Sequence, residues 1–157
     1  MDKPRSIADL SVKELLAAIG SSHVSPGAGA AGAVALGLAA ACLGKAATIS
    51  LKHRPNNSVL QEAVDTCAHI ARLALLDADR DAEEFAQFIR TQSSGAAARL
   101  VDTAEALRRV GNALQQLADR LQPHVEVNML GDVSAARALA EAAEAIHARN
   151  ENEASNR

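Results

Sequence analysis

Residues 25–50 read SPGAGAAGAVALGLAAACLGKAATIS, and they restrict the fold more than any other segment. These 26 positions hold five glycines, no aromatic ring and a single charge, Lys45. Strands favour aromatic and β-branched side chains, whereas alanine is the best helix former, so the run predicts a helix. Each glycine inside a helix costs about 1 kcal/mol relative to alanine, so several of them require something in return. Gly29, Ala33, Gly37 and Ala41 recur every four residues, a spacing that lets a second backbone approach closely. The expected use is at the centre of a bundle or against the equivalent helix of a second copy. The run is long enough to cross a bilayer, but alanine and glycine insert poorly compared with leucine, isoleucine and phenylalanine. A helix of a soluble bundle is therefore expected, with no membrane partner.

The remaining chain carries helix signals at regular intervals. In LSVKELLAAIG, Ser11 is placed to cap a short first helix, Glu14 to complete a capping box and Gly20 to stop it. HRPNNS breaks the small-residue helix near Lys52. Ser58 is the expected cap of a long helix with Leu60, Val64, Cys67, Ala71, Leu75 and Ala78 near one face. Another helix is expected from Ala96 to Leu121, with a leucine-rich stripe, ended by Pro123. Asp132 is placed to cap a last helix. No strand pattern of useful length occurs. The reading is all-α: an antiparallel helical bundle of about five helices in one domain, 1–150, followed by a disordered polar tail, 151–157.

Charge and cysteine content exclude several classes of function. Sixteen basic and 19 acidic residues give a net charge of -3 with no basic patch, so no nucleic-acid partner is expected. The N-terminus, MDKPRSIADL, has no apolar stretch behind its charges, and a cytoplasmic protein is expected. Cys42 and Cys67 fit a reducing compartment as small hydrophobes. Cys67 and His69 point to different faces of a helix, and Glu144-x-x-His147 is half of the pair that a di-iron bundle needs, so no metal site is expected.

The glycine-rich start at Gly27, Ala28 and Gly29 leaves the unpaired N–H groups of a first helical turn accessible to an anion or carbonyl. Taken with what lies around it, this start resembles the cyclodeaminase/cyclohydrolase family, whose members enter a small-residue helix through a Pro-Gly-Gly-Gly-Ser turn. Here that turn reads Pro26-Gly27-Ala28-Gly29-Ala30, without the middle glycine and the serine. The family's Asp-x-Asp-Ala-x-x-Phe run is matched by Asp79-Arg80-Asp81-Ala82-Glu83-Glu84-Phe85. Its asparagine followed by Ser-Asp is matched by Asn128 and Asp132, with Gly131 in place of the serine. These landmarks occur in order over nearly the whole chain.

The resemblance implies a tetrahydrofolate derivative as substrate, closed to the methenyl form with loss of ammonia or opened from it by water. Either reaction passes through a tetrahedral carbon between two nitrogens, needs proton transfer and requires no cofactor. Asp81 is the first candidate for that transfer, with Asp77 one turn away as a like charge that raises its proton affinity. His23, in the loop before Pro26, is a second acid/base candidate. Gly27, Ala28 and Gly29 are expected at the substrate. Asp132 and Asn128 offer acceptors and a donor suited to a pterin ring, and Lys52, His53 and Arg54 offer charge for a glutamate tail. A homodimer through the Gly/Ala-rich helix is expected. The alternative is a non-catalytic folate-binding or structural relative with the same helical fold.

Overall fold

A computed structural model describes residues 5–156. It contains five α-helices and, among the described residues, no strand: α1 Val12–Ile19, α2 Ala28–His53, α3 Ser58–Thr91, α4 Ser94–Leu121 and α5 Leu130–Ser155. Short 3-10 turns at Ile7–Asp9 and Val127–Met129 precede α1 and α5. Helices α2 to α5 alternate in direction. Along α2, Gly29, Gly37 and Gly44 meet Asp81, Ala74 and Cys67 of α3, so one helix descends as the other rises. The pairs Gly32 with His147 and Lys45 with Asp132 set the same relation between α2 and α5.

α2 is the central helix. Its buried residues include Ala33, Leu36, Ala40, Leu43 and Ala47, and they pack with Leu60, Leu107, Leu114, Leu121 and Val133 in one core. Burying each of those leucines contributes about 1.5–3 kcal/mol. The glycines bring the backbones together: a Cβ on Gly44 would lie 3.2 Å from the Cys67 Cβ, and one on Gly37 would lie 3.4 Å from the Ala74 Cβ. Among the described residues α2 is the one helix long and apolar enough to cross a membrane by length and composition. Its position between α3 and α5 is that of a core helix.

The expected small-residue stripe is therefore used inside the chain. Gly29 and Gly37 face α3, Ala33 is buried, and Ala41 is exposed. A four-residue spacing drifts about 40° per step on a 3.6-residue helix, which carries Ala41 off the packed face. The outward face of α2 instead bears Leu38, Ala41, Lys45, Thr48 and Lys52.

Local signals set most helix starts, with corrections of a residue or two. Ser11 and Glu14 form the expected capping box, with the Ser11 N–H donating to Glu14 Oε2 at 2.7 Å. The hydroxyl and N–H of Ser11, together with Arg5, hold the Glu14 carboxyl down at about 2. Asn57 rather than Ser58 caps α3, accepting the Leu60 N–H at 3.1 Å, because Ser58 is already helical. Ser93 caps α4, which starts two residues earlier than expected. Asp132 does not cap α5. The 3-10 turn runs directly into that helix, which places Asp132 in its first turn, 3.5 Å from Lys45 Nζ. Nor is the segment 151–155 a disordered tail: α5 continues to Ser155, tied by the Arg108–Glu151 and Arg149–Glu153 ion pairs at 3.0 and 2.8 Å.

Candidate functional site

The start of α2 has no side-chain cap of its own, because its cap residue is Gly27. Asp81 of α3 comes to this end instead. Its carboxylate occupies the space that a side chain at Gly29 would fill, and any Cβ there would overlap it. This is the position where glycine is required by close approach rather than by backbone conformation. The backbone N–H of Ala30 favours the charged form of Asp81, but burial opposes it more strongly. With the Glu84 carboxylate adding to the effect of burial, the Asp81 carboxyl is pushed up to about 6.

Asp81 opens onto a cavity of about 190 Å³. Gly27, Ala28 and Gly29 form one side, Phe85, Phe88 and Leu100 give it apolar walls, and Asn150 and Glu153 close it from α5. Phe85 and Phe88 are the chain's only aromatic residues, and Asp81, Phe85 and Phe88 are spaced four and three apart, along one face of α3. A ring-sized group placed here would meet two aromatic side chains, a carboxylic acid and the N–H groups of a helix start.

The structure brings together four of the residues expected from sequence, Asp81, Gly27, Ala28 and Gly29, and leaves the others apart. His23 is exposed in the loop after α1 and does not line the cavity; its backbone N–H donates to Ser21 Oγ. Asp77 does not supply the expected like charge. It pairs with Arg80 at 3.0 Å, and Glu84 is the carboxylate that acts on Asp81. Lys52 and Arg54 lie at the other end of α2, about 35 Å from Gly29 at the helical rise. There the Arg54 side chain donates to the His124 carbonyl at 3.1 Å and pairs with Glu126 at 3.3 Å. Asn128 is exposed in the turn before α5. Asp132, opposite Lys45, is roughly 24 Å along α2 from Gly29.

Glu144 and His147 do not share a site, since Glu144 packs on Gly111 of α4 while His147 meets Gly32 of α2. His147 is fully buried, and neither ring nitrogen has a hydrogen-bond partner among the described residues. Burial pushes its pKa down to about 4, outweighing the opposite effect of the adjacent Gly32 backbone. The Cys67 thiol is likewise pushed up to about 11 by burial.

Residues 11–150 match the family model described as formiminotransferase-cyclodeaminase. The chain belongs to the formiminotransferase-cyclodeaminase family. Among solved structures, a formiminotetrahydrofolate cyclodeaminase of Thermotoga maritima matches with a TM-score of 0.90 at 19% identity, over 96% of this chain and 80% of that one. No curated protein matches in sequence. Family and fold together point to a folate-related cyclodeaminase or cyclohydrolase.

Within this formiminotransferase-cyclodeaminase domain, sequence reasoning did not assign Phe85, Phe88, Leu100, Asn150 or Glu153 to the site. For the phenylalanines a signal was present: the only two Phe, Tyr or Trp residues in the chain follow Asp81 by four and seven residues, on the same helical face. Asn150 and Glu153 gave none, because their place beside Asp81 depends on how α5 packs on α2.

Proposed function

We propose that this protein is a tetrahydrofolate-dependent one-carbon enzyme, a methenyltetrahydrofolate cyclohydrolase or a formiminotetrahydrofolate cyclodeaminase, with Asp81 as its proton-transfer group. The observation that carries this reading is a partly buried carboxyl, pushed up to about 6 by burial and Glu84, beside the two phenylalanine rings and an uncapped helix start. In the deaminase reaction, one ring-forming nitrogen attacks the formimino carbon, and protonated Asp81 supplies the proton with which ammonia leaves. In the hydrolase reaction, water adds to the methenyl carbon, ionised Asp81 accepts its proton, and the ring opens to the formyl product. A group that titrates near the working pH serves either direction. A cavity of about 190 Å³ holds a ring and its reacting carbon, so the rest of a folate lies outside it along the surface.

The reading includes a cytoplasmic protein and a homodimer formed through the outward face of α2, where Leu38 is exposed and Leu76 of α3 is exposed as well. A non-catalytic folate-binding relative is the second reading. It is favoured by the absence of a hydroxyl in the Gly27-Ala28-Gly29-Ala30 turn.

The methenyl chromophore separates these possibilities. Absorbance that rises from formiminotetrahydrofolate identifies the deaminase, and absorbance lost from methenyltetrahydrofolate above the buffer rate identifies the cyclohydrolase. Asp81→Asn keeps a hydrogen-bonding side chain beside α2 but cannot exchange a proton, and turnover should fall at least 100-fold. Thermal stabilisation by folate without turnover in the wild type would establish the binding relative instead.

A further inference from the structure

Next to Asp81 on α3, outside the cavity lining, is a second carboxylate that takes no part in the proton transfer itself. Glu84 lies three residues after Asp81, so the two side chains are neighbours on α3. An unrestrained glutamate so placed would turn toward water and weaken the repulsion. Glu84 is instead held from α4: Thr103 donates its hydroxyl to Glu84 Oε2 at 2.7 Å. Thr103 sits on the buried face of α4 with Ala96, Ala104 and Leu107, where an aliphatic side chain would pack as well. A threonine hydroxyl inside a helix commonly bonds to a carbonyl of its own preceding turn, yet this one is directed across to α3.

The charges around Asp81 single out Glu84. From α5, Glu153 reaches the same cavity, but Arg149 pairs with it at 2.8 Å; Asn150 is neutral. α2 offers Gly27, Ala28, Gly29 and the Ala30 N–H, with no charged side chain. α4 offers Leu100, and the loop before α2 offers Ser25. On α3 itself, Asp77 and Arg80 pair with each other. Among the described residues no cation forms an ion pair with Glu84.

We propose that Glu84, pinned by Thr103, is a positioning residue whose fixed negative charge favours a proton on Asp81. This rests on Asp81 being the proton-transfer group. Burial alone would favour the protonated acid whatever the surroundings; the Glu84–Thr103 pair adds a charge held in place by a neighbouring helix, so that the proton affinity of Asp81 depends on the α3–α4 contact. The same pair gives the Thr103 hydroxyl a partner at a buried position.

The test follows the ¹³C shift of the Asp81 carboxyl against pH, assigned through Asp81→Asn, in the wild type, Glu84→Gln, Thr103→Val and Thr103→Ser. Glu84→Gln should lower the midpoint by roughly one unit. Thr103→Val, which releases Glu84 to solvent, should lower it by part of that amount, and Thr103→Ser should restore the wild-type value. In turnover, the pH at which the rate changes should move by the same amounts. A Glu84→Gln midpoint equal to the wild type, in a variant with unchanged helical circular dichroism, overturns the proposal. So does a Thr103→Val midpoint that stays put or rises. Because the carboxyl shift needs no substrate, a midpoint that moves in a protein without folate turnover removes the folate-enzyme reading and leaves the control of Asp81 by Glu84 intact.

Discussion

The two ends of α2 differ in what they are built from and in how they are used: glycine and alanine at the start, polar and basic side chains at the finish. At the far end, polar groups are spent on neighbours. Ser50 is fully buried and accepts the Glu126 N–H at 2.8 Å; Arg54 binds His124 and Glu126; Asn57 caps α3 and meets the His124 ring at 3.1 Å. The basic residues there also complement the negative end of the helix dipole. At the near end the helix has no cap from its own sequence, a carboxyl is driven up to about 6, and both face a cavity. The difference teaches that residue type alone does not locate chemistry. A charged group whose bonds are all made is part of the scaffold, whereas one held in an unfavourable setting is available for reaction.

Gly29→Ala should widen that difference most. Its methyl would overlap the Asp81 carboxylate, so Asp81 must turn away from α2. Turnover should fall at least as far as in Asp81→Asn, with a loss of about 1–3 kcal/mol in chemical denaturation. Gly131→Ala, on the open first turn of α5 with nothing within 4 Å of its new methyl, should instead be neutral or gain up to about 1 kcal/mol. An active, stable Gly29→Ala protein would show that the near end is ordinary packing.

Stability against pH gives a second separation, between Asp81 and His147. The Asp81 pKa is raised by folding, from 3.8 to about 6, so its contribution is fully present below the lower value and is lost as pH rises through the higher. At pH 7.5 Asp81→Asn should therefore be more stable than the wild type by about 2 kcal/mol, a gain that vanishes near pH 4. The His147 pKa is lowered, from 6.5 to about 4, so the unfolded chain binds more protons and stability falls as pH drops through that window. His147→Leu should flatten this acid limb by up to about 3 kcal/mol. Urea denaturation of both variants from pH 4 to 8 checks the two signs.

The smallest effect is expected at the far end. Arg54→Ala removes a partly exposed ion pair and should cost no more than about 1 kcal/mol, with KM for the folate changed less than twofold. A tenfold rise in KM would break the comparison, because it would put the basic end of α2 at the substrate after all.

Much of this fold was legible before any coordinates. The capping box at Ser11 and Glu14, the breaks at Pro55 and Pro123 and the alanine-rich composition of 25–50 act within a few residues of themselves, and the structure retains them. Asp81 was legible through the Asp79-Arg80-Asp81 run, and the two phenylalanines lay on its face at readable spacings. Asp79 itself turns away, accepting Ser6 Oγ–H at 2.5 Å and the Ile7 N–H at 2.7 Å, which holds the N-terminal segment on α3. The structure sets His23, Asp77, Lys52, Arg54, Asn128 and Asp132 apart from that cavity. Their chemistry suits a folate, but their partners are Arg80, Glu126 and Lys45 or, for His23, Asn128 and Lys52, whose side chains are exposed, open solvent.

The sequence by itself determined the helices, their order and the need for close backbone approach along α2, since propensity, capping and periodicity are properties of neighbouring residues. Only the tertiary structure decided which helix makes that approach and which end of it carries the cavity. Each glycine inside α2 states that something must come near without saying what. Gly29 receives a carboxylate, Gly32 an imidazole and Gly44 a cysteine because the antiparallel register of α2 with α3 and α5, set by packing over the whole length of three helices, puts those side chains opposite.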